Sequence, residues 1–388
     1  MKKIFTLISL LTLTLFAGAQ TIYICKDGAF TKTQLTDGFE VNPHEVDSIT
    51  FAEPKFPAPV VGISFTQDKA TVDIPAYAKQ ITATISGTDV IINNTQTEGL
   101  ETTYHITGTC NDGSITINGS YKLTVELDAA NITSSKHAPL DIQCGKRCAI
   151  ILKNGTNNSL ADASTSTSKA ALYCKGHLEF EGGGTLSVTG NANHAIASKE
   201  YTQLKSSTGT INIIQAANDA FHIGQYFLMS GGNINIDGNT TGDGIQVELT
   251  SDATDENNGQ MILKGGTITT TISHEDCKAL KADSDITISG GSLTLHADGN
   301  GTRGIQTDGN ITIGEETGTT TIKIYAAGNK CTLPECAEDP HKCNGIKADG
   351  TLTINAGHIT IETTGKKAKS VNVGEYIKNG GTVEGIIL

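Results

Sequence analysis

Short stretches through most of the chain alternate apolar and polar residues with a period of two: residues 210–213 read TINI, 233–236 NINI, 285–288 DITI and 292–295 SLTL. That period belongs to a strand with one face buried. The stretches recur in a fixed order. A small residue precedes an apolar anchor, as in Ala171-Leu172, Gly244-Ile245, Gly304-Ile305 and Gly345-Ile346, and then come a turn, an alternating strand, a Gly-Gly step and another alternating strand. Taking Ile142, Leu172, Ile196, Phe221, Ile245, Leu280, Ile305, Ile346 and Val371 as anchors gives spacings of 30, 24, 25, 24, 35, 25, 41 and 25 residues, a base period of 24–25 with three insertions. Three short strands per repeat cannot each bury a face alone, but stacked coils share one continuous core. The pattern predicts an all-β chain, a right-handed parallel β-helix. Leucine-rich repeats lack the Gly-Gly step, and propeller blades need about 40 residues.

The ends of the chain read differently. Lys2 and Lys3 lead an apolar run closed by Ala17-Gly18-Ala19, so residues 1–19 are expected to be a signal peptide, too short to span a membrane. Residues 20–59 form a short N-terminal β segment with strand-like TIYIC and DSITF, ending in a proline-rich linker at 53–59, and the β-helix domain is expected over residues 60–388. No later run of eighteen apolar residues occurs, which predicts an exported chain, secreted or held at the cell surface or in the periplasm, without membrane insertion.

Composition narrows the partners. Charged residues make up 18% of the chain, there is no Trp, and 43 glycines suit tight turns. The net charge of −13 becomes −15 once the leader is removed, and Arg147 and Arg303 are the only arginines. Nucleic acid is excluded as a partner, since it needs a basic patch to neutralise phosphates.

Residues 123–132 (LTVELDAANI), residues 148–160 (CAIILKNGTNNSL) and the repeated D/N-G-I coils after them resemble a family of secreted carbohydrate-binding β-helix proteins that look like pectate lyases but bind cellulose and polygalacturonate. The resemblance covers roughly residues 60–388. It implies polysaccharide binding and allows for calcium. The chain departs from the pattern where Ala170, His194, Lys278, Arg303 and Lys369 replace the D-G-I acid, which breaks a family-wide calcium column.

Coils about 4.8 Å apart place equivalent side chains over one another, so candidate chemistry is sought in columns. Two residues before each anchor stand Ala170, His194, Asp219, Asp243, Lys278, Arg303, Asn344 and Lys369, expected at an outward corner because charges do not sit unpaired in an apolar core. Asp219 and Asp243 become stacked carboxylates, either a calcium site with Asn218 and Asn239 beside it or acceptors of backbone N–H groups at turns. Lys278 and Arg303 either meet uronate carboxylates or form solvated corners. A second acidic column holds Glu248, Asp283, Asp308 and Asp349. Just before the following strand stand His177, Tyr201 and Tyr226, with Tyr376 at the far end, an aromatic ladder for sugars or a stack that braces a turn. Cys144 and Cys174 are expected in one inward column, and Cys331, Cys336, Cys343 and His341 on one insertion, as disulfides or a zinc site.

These features favour a non-catalytic binder of plant-type or acidic, uronate-containing polysaccharide. The N-T-D, D-D, G-H-G and R-I-K strings of inverting polygalacturonases are absent. A calcium-dependent lyase using Asp219, Asp243, Lys278 and Arg303 is the first alternative, and a structural or adhesive solenoid the second.

Overall fold

Each alternating stretch pairs in parallel with the stretch one repeat later, and this single rule generates the architecture. The computed structural model describes residues 21–385 except 27–28, 35–40, 43, 253, 316–318 and 339–340. The expected leader lies outside the described residues. Apart from a 3-10 turn at Pro334–Cys336, the regular structure of the described residues is all β. A 32-stranded sheet winds through about twelve coils as a parallel β-helix. A typical coil contributes Ala170–Cys174 to a first sheet, Leu178–Glu181 to a second and Thr185–Gly190 to a third, after which His194–Ser198 returns to the first.

The anchors form one inward line. Leu172 aligns with Ile196, then Phe221, Ile245, Leu280, Ile305, Ile346 and Val371. Together with the inward residues of the other two sheets they make a continuous core, in which Phe180, Phe221 and Phe227 are wholly buried. The Gly-Gly step turns the chain from the second sheet to the third. Gly182 adopts φ +84°, as do Gly232 at +85° and Gly266 at +90°, in the left-handed region that side chains disfavour. Coils also touch here, since a Cβ on Gly182 would lie 2.3 Å from the Leu152 carbonyl oxygen.

The first coils differ from the expected three parallel strands. Val60–Thr66 pairs antiparallel with Lys69–Asp73, and Ile81–Ser86 pairs antiparallel with Asp89–Asn94. These hairpins finish the N-terminal end of the large sheet, where a solenoid otherwise leaves backbone donors open to unwanted pairing. Residues 21–50 contribute a separate three-stranded sheet, Thr21–Lys26 lying between Ala29–Gln34 and Ser48–Thr50.

Three column assignments are corrected by the register. Leu140, not Ile142, aligns with Leu172, so Ile142 meets Cys174 and Cys144 does not share that column. The insertion before Ala170 hides this two-residue offset. A bulge between Ala348 and Thr351 shifts the last coil, so Thr351 aligns with Glu375. Tyr376 instead aligns with Leu352 and packs against the core. On the long insertion Cys331 and Cys336 form a disulfide while Cys343 is a buried free thiol, which removes the zinc reading for that cysteine set.

Gly182→Ala is expected to lower the urea midpoint, since a non-glycine residue in this region costs about 1–3 kcal/mol before the clash with Leu152 is counted. Gly145→Ala, where a Cβ meets nothing within 4 Å, is expected to leave it within about 0.5 kcal/mol.

Candidate functional site

The corner between the third and first sheets is buried. His194, Asp219, Asp243, Arg303 and Asn344 are each less than a tenth exposed, which corrects the outward corner expected from their charge. Over His194, Asp219 and Asp243 burial is tolerated because each side chain finds a partner along the helix axis, whereas Arg303 Nε and Asn344 Oδ1 are buried without a hydrogen-bond partner. The Asp219 N–H donates to His194 Nδ1 at 3.3 Å, the Asp243 N–H to Asp219 Oδ1 at 2.8 Å, and the Lys278 N–H to Asp243 Oδ1 at 2.8 Å. Each side chain thus takes the backbone donor of the coil that follows, which is the turn chemistry one of the two readings anticipated.

Asp219 is also gripped from the side. His222 Nδ1 lies 2.9 Å and His194 Nδ1 3.2 Å from its Oδ2. Burial works against the Asp219 charge, but the adjoining His194 and His222 imidazoles and the Asp243 N–H overcome it and hold the carboxyl below its ordinary range. Asp243 has weaker compensation. Burial pushes its carboxyl up to about 6 although Lys278 and Lys281 are near.

Calcium at Asp219 and Asp243 does not fit these residues. Calcium takes six to eight oxygens, whereas one oxygen of each carboxylate holds a backbone N–H and the second Asp219 oxygen faces two imidazoles. Nor are Lys278 and Arg303 free for uronate. Lys278 Nζ bonds the Asp276 carbonyl at 2.5 Å, and the buried Arg303 pairs with Asp276 Oδ1 at 3.1 Å.

The aromatic ladder exists over three coils, but its ring faces are turned on one another. His177 and Tyr201 centroids are 4.3 Å apart, and Tyr201 and Tyr226 stack at 4.7 Å and 18°. Tyr201 donates to Glu179 at 2.8 Å, and this buried carboxylate also pairs with Lys205 at 2.9 Å. Burial, with the Glu179 charge behind it, raises the Tyr201 hydroxyl above its ordinary value. The rings therefore show their edges to solvent along most of the stack.

A concave surface lies instead on the outer face of the first sheet. A cavity of about 430 Å³ is bounded by Asp141, Gln143, Tyr173, Lys175, Lys199 and the insertion through Lys169. Lys169 Nζ sits 5.2 Å from the centre of the Tyr173 ring. Cys174 aligns with Ser198, so Lys175 and Lys199 stand one coil apart in a column. Both are exposed, and neither is paired with a carboxylate among the described residues. Tyr173, Ala197 and His222 form the adjoining column, in which Tyr173 and Ala197 are buried and His222 is partly exposed.

The profile of a family described as carbohydrate-binding domain-containing protein matches residues 86–385. The chain belongs to this carbohydrate-binding domain family. A curated protein of the same description from Acetivibrio thermocellus is 30% identical over 120 residues, 28% of this chain and 41% of the relative, so the chain spans about two fifths of that relative's length. A solved structure titled as a polysaccharide lyase-like protein from C. thermocellum, a gadolinium derivative, matches with a TM-score of 0.54 and 24% identity over 66% of this chain and 98% of its own. That likeness is one of fold.

Several residues of this carbohydrate-binding domain protein escape the column reading. Lys175 and Lys199 are separated by one base period, so spacing alone could place them in one column. His194 and His222 are 28 residues apart, a diagonal contact that no period reveals. Glu179, buried beneath Arg147, Lys205 and Tyr201, resembles any other outward strand position in the sequence.

The stacked geometry gives the tyrosines a bracing contact between coils. Replacing Tyr201 and Tyr226 together by Ala is expected to lower unfolding stability by at least about 1 kcal/mol, since a stacked pair contributes about 0.5–1.5 kcal/mol beyond its buried area. Tyr201→Phe, which keeps the stack and loses only the bond to Glu179, is expected to fall between the wild type and the double variant in the same denaturation series.

Proposed function

We propose that the chain is a non-catalytic polysaccharide-binding protein whose ligand lies along the outer face of the first sheet, over the coils that carry Tyr173, Ala197 and His222. Family membership supports the carbohydrate, and the observation that carries the location is the unpaired column of Lys175 and Lys199 beside the Tyr173 cavity. In a chain of net charge −13, two exposed cations stacked about 4.8 Å apart with no acidic partner form a local attraction for anionic groups. A sugar chain with carboxylates, a uronate-containing glycan of plant type, matches that spacing better than a neutral one. The Lys169 stem, lying over the buried Tyr173 ring, supplies an apolar wall for a pyranose ring. The leader composition of residues 1–19 supports export to where such polymers occur.

Binding without cleavage is favoured by the fate of the residues that a lyase would use. Abstraction of the C5 proton needs a free base next to a cation at the uronate. Lys278 and Arg303 are tied to Asp276, and Asp219 is tied to backbone and imidazoles. No observation singles out an adhesive or purely structural role.

Lys175→Gln combined with Lys199→Gln is expected to weaken binding to polygalacturonate about tenfold and to flatten its salt dependence, at about 0.5–1 kcal/mol per exposed charge, with thermal unfolding unchanged. Isothermal titration at two ionic strengths measures the first, and absorbance of unsaturated uronate in the same mixtures reports any cleavage. Unchanged affinity would move the ligand to another face, and product accumulating with turnover would make the protein an enzyme.

A further inference from the structure

His194, Asp219 and His222 converge from two neighbouring coils on one point. His194 opens its strand in the corner column, Asp219 follows it one coil later, and His222 stands three residues beyond Asp219 on the outward face of Phe221–Gly224. We propose that these three side chains form a binding site for a divalent transition-metal ion of the zinc class, through His194 Nδ1, Asp219 Oδ2 and His222 Nδ1.

The spacing suits a small ion. Asp219 Oδ2 is 3.2 Å from His194 Nδ1 and 2.9 Å from His222 Nδ1, and the three ligand atoms lie within 4.8 Å of one another. Ligands about 2.0–2.1 Å from a tetrahedral centre stand roughly 3.3 Å apart, so little movement is required. The stacked imidazoles, 4.2 Å apart at 23°, bring both Nδ1 atoms to the same carboxylate oxygen. Two nitrogens and one oxygen select zinc, copper, cobalt or nickel over calcium and magnesium, which prefer all-oxygen shells.

The surroundings orient these ligands independently of any ion. Asp219 Oδ1 is held by the Asp243 N–H, which turns Oδ2 toward the imidazoles. His222 Nε2 lies 3.4 Å from Glu248 Oε2, a carboxylate behind the imidazole that leaves Nδ1 as the donor for a metal. The competitor for His194 Nδ1 is the Asp219 N–H at 3.3 Å, longer than the two other side chain to backbone bonds of the corner, both 2.8 Å. An ion therefore replaces the weakest of the three. The Asp219 and His194 side chains are 5% and 10% exposed but His222 is 28% exposed, so the fourth coordination position opens on the outer face of the first sheet. This site does not depend on the glycan assignment, although a ligand on that face could reach the open position.

The test uses the full mature chain, freed of metal by chelator and dialysis. Titration with Zn2+ alone is expected to give one ion per chain with micromolar or tighter affinity and a raised melting temperature, Co2+ is expected to give the strong visible absorption of a tetrahedral centre, and Ca2+ neither signal. His222→Ala, and His222→Gln should the first variant fold poorly, are expected to weaken Zn2+ binding at least a hundredfold. Absence of Zn2+ binding to the wild type overturns the site, as does binding retained by a folded His222 variant, which would place the ion elsewhere.

Discussion

Translation by one coil is the constraint from which the rest of the structure follows. Parallel hydrogen bonding sets successive coils about 4.8 Å apart, and every side chain then has its counterpart from the next repeat directly above it. Apolar positions profit from this, because Leu172, Ile196, Phe221 and Ile245 bury one another without any distant element folding over them. Polar positions face a harder condition: like groups stack on like groups, and two charges at that distance repel unless something lies between them or bonds to them.

The corner column shows how that condition is met. His194, Asp219 and Asp243 each reach one coil forward to a backbone N–H, so each satisfies a donor in a part of the chain remote in sequence, and His194 and Asp219 also meet side chain to side chain. Charges with better partners keep their ionised form, as Asp219 does, and the less compensated Asp243 is drawn toward neutrality by burial. The same arithmetic turns the aromatic column inward on itself, since His177, Tyr201 and Tyr226 lie close enough to stack. The stacked cations Lys175 and Lys199, by contrast, stand exposed on the outer face of the first sheet with no carboxylate paired to them among the described residues.

The fold was legible because the base period and the Gly-Gly step express the helical repeat directly. Spacing misleads wherever the chain departs from the repeat: the insertion before Ala170 shifts Ile142 out of the anchor line, and the bulge after Ala348 turns Tyr376 into the core. The site was less legible for a different reason. Charge alone implies exposure, whereas Arg303 is buried against Asp276, and the diagonal from His194 to His222 has no sequence period at all. Column membership can be read from spacing, whereas the partner each member chooses depends on side-chain reach across coils.

The central claim is that carbohydrate lies on the outer face of the first sheet, and lysine footprinting addresses it most directly. Acetylation of the folded protein, read residue by residue by mass spectrometry with and without oligogalacturonate, is predicted to show protection of Lys169, Lys175 and Lys199 while Lys323, on the outer face of the third sheet, reacts unchanged. Protection of Lys323 with full reactivity at Lys175 and Lys199 would contradict the account.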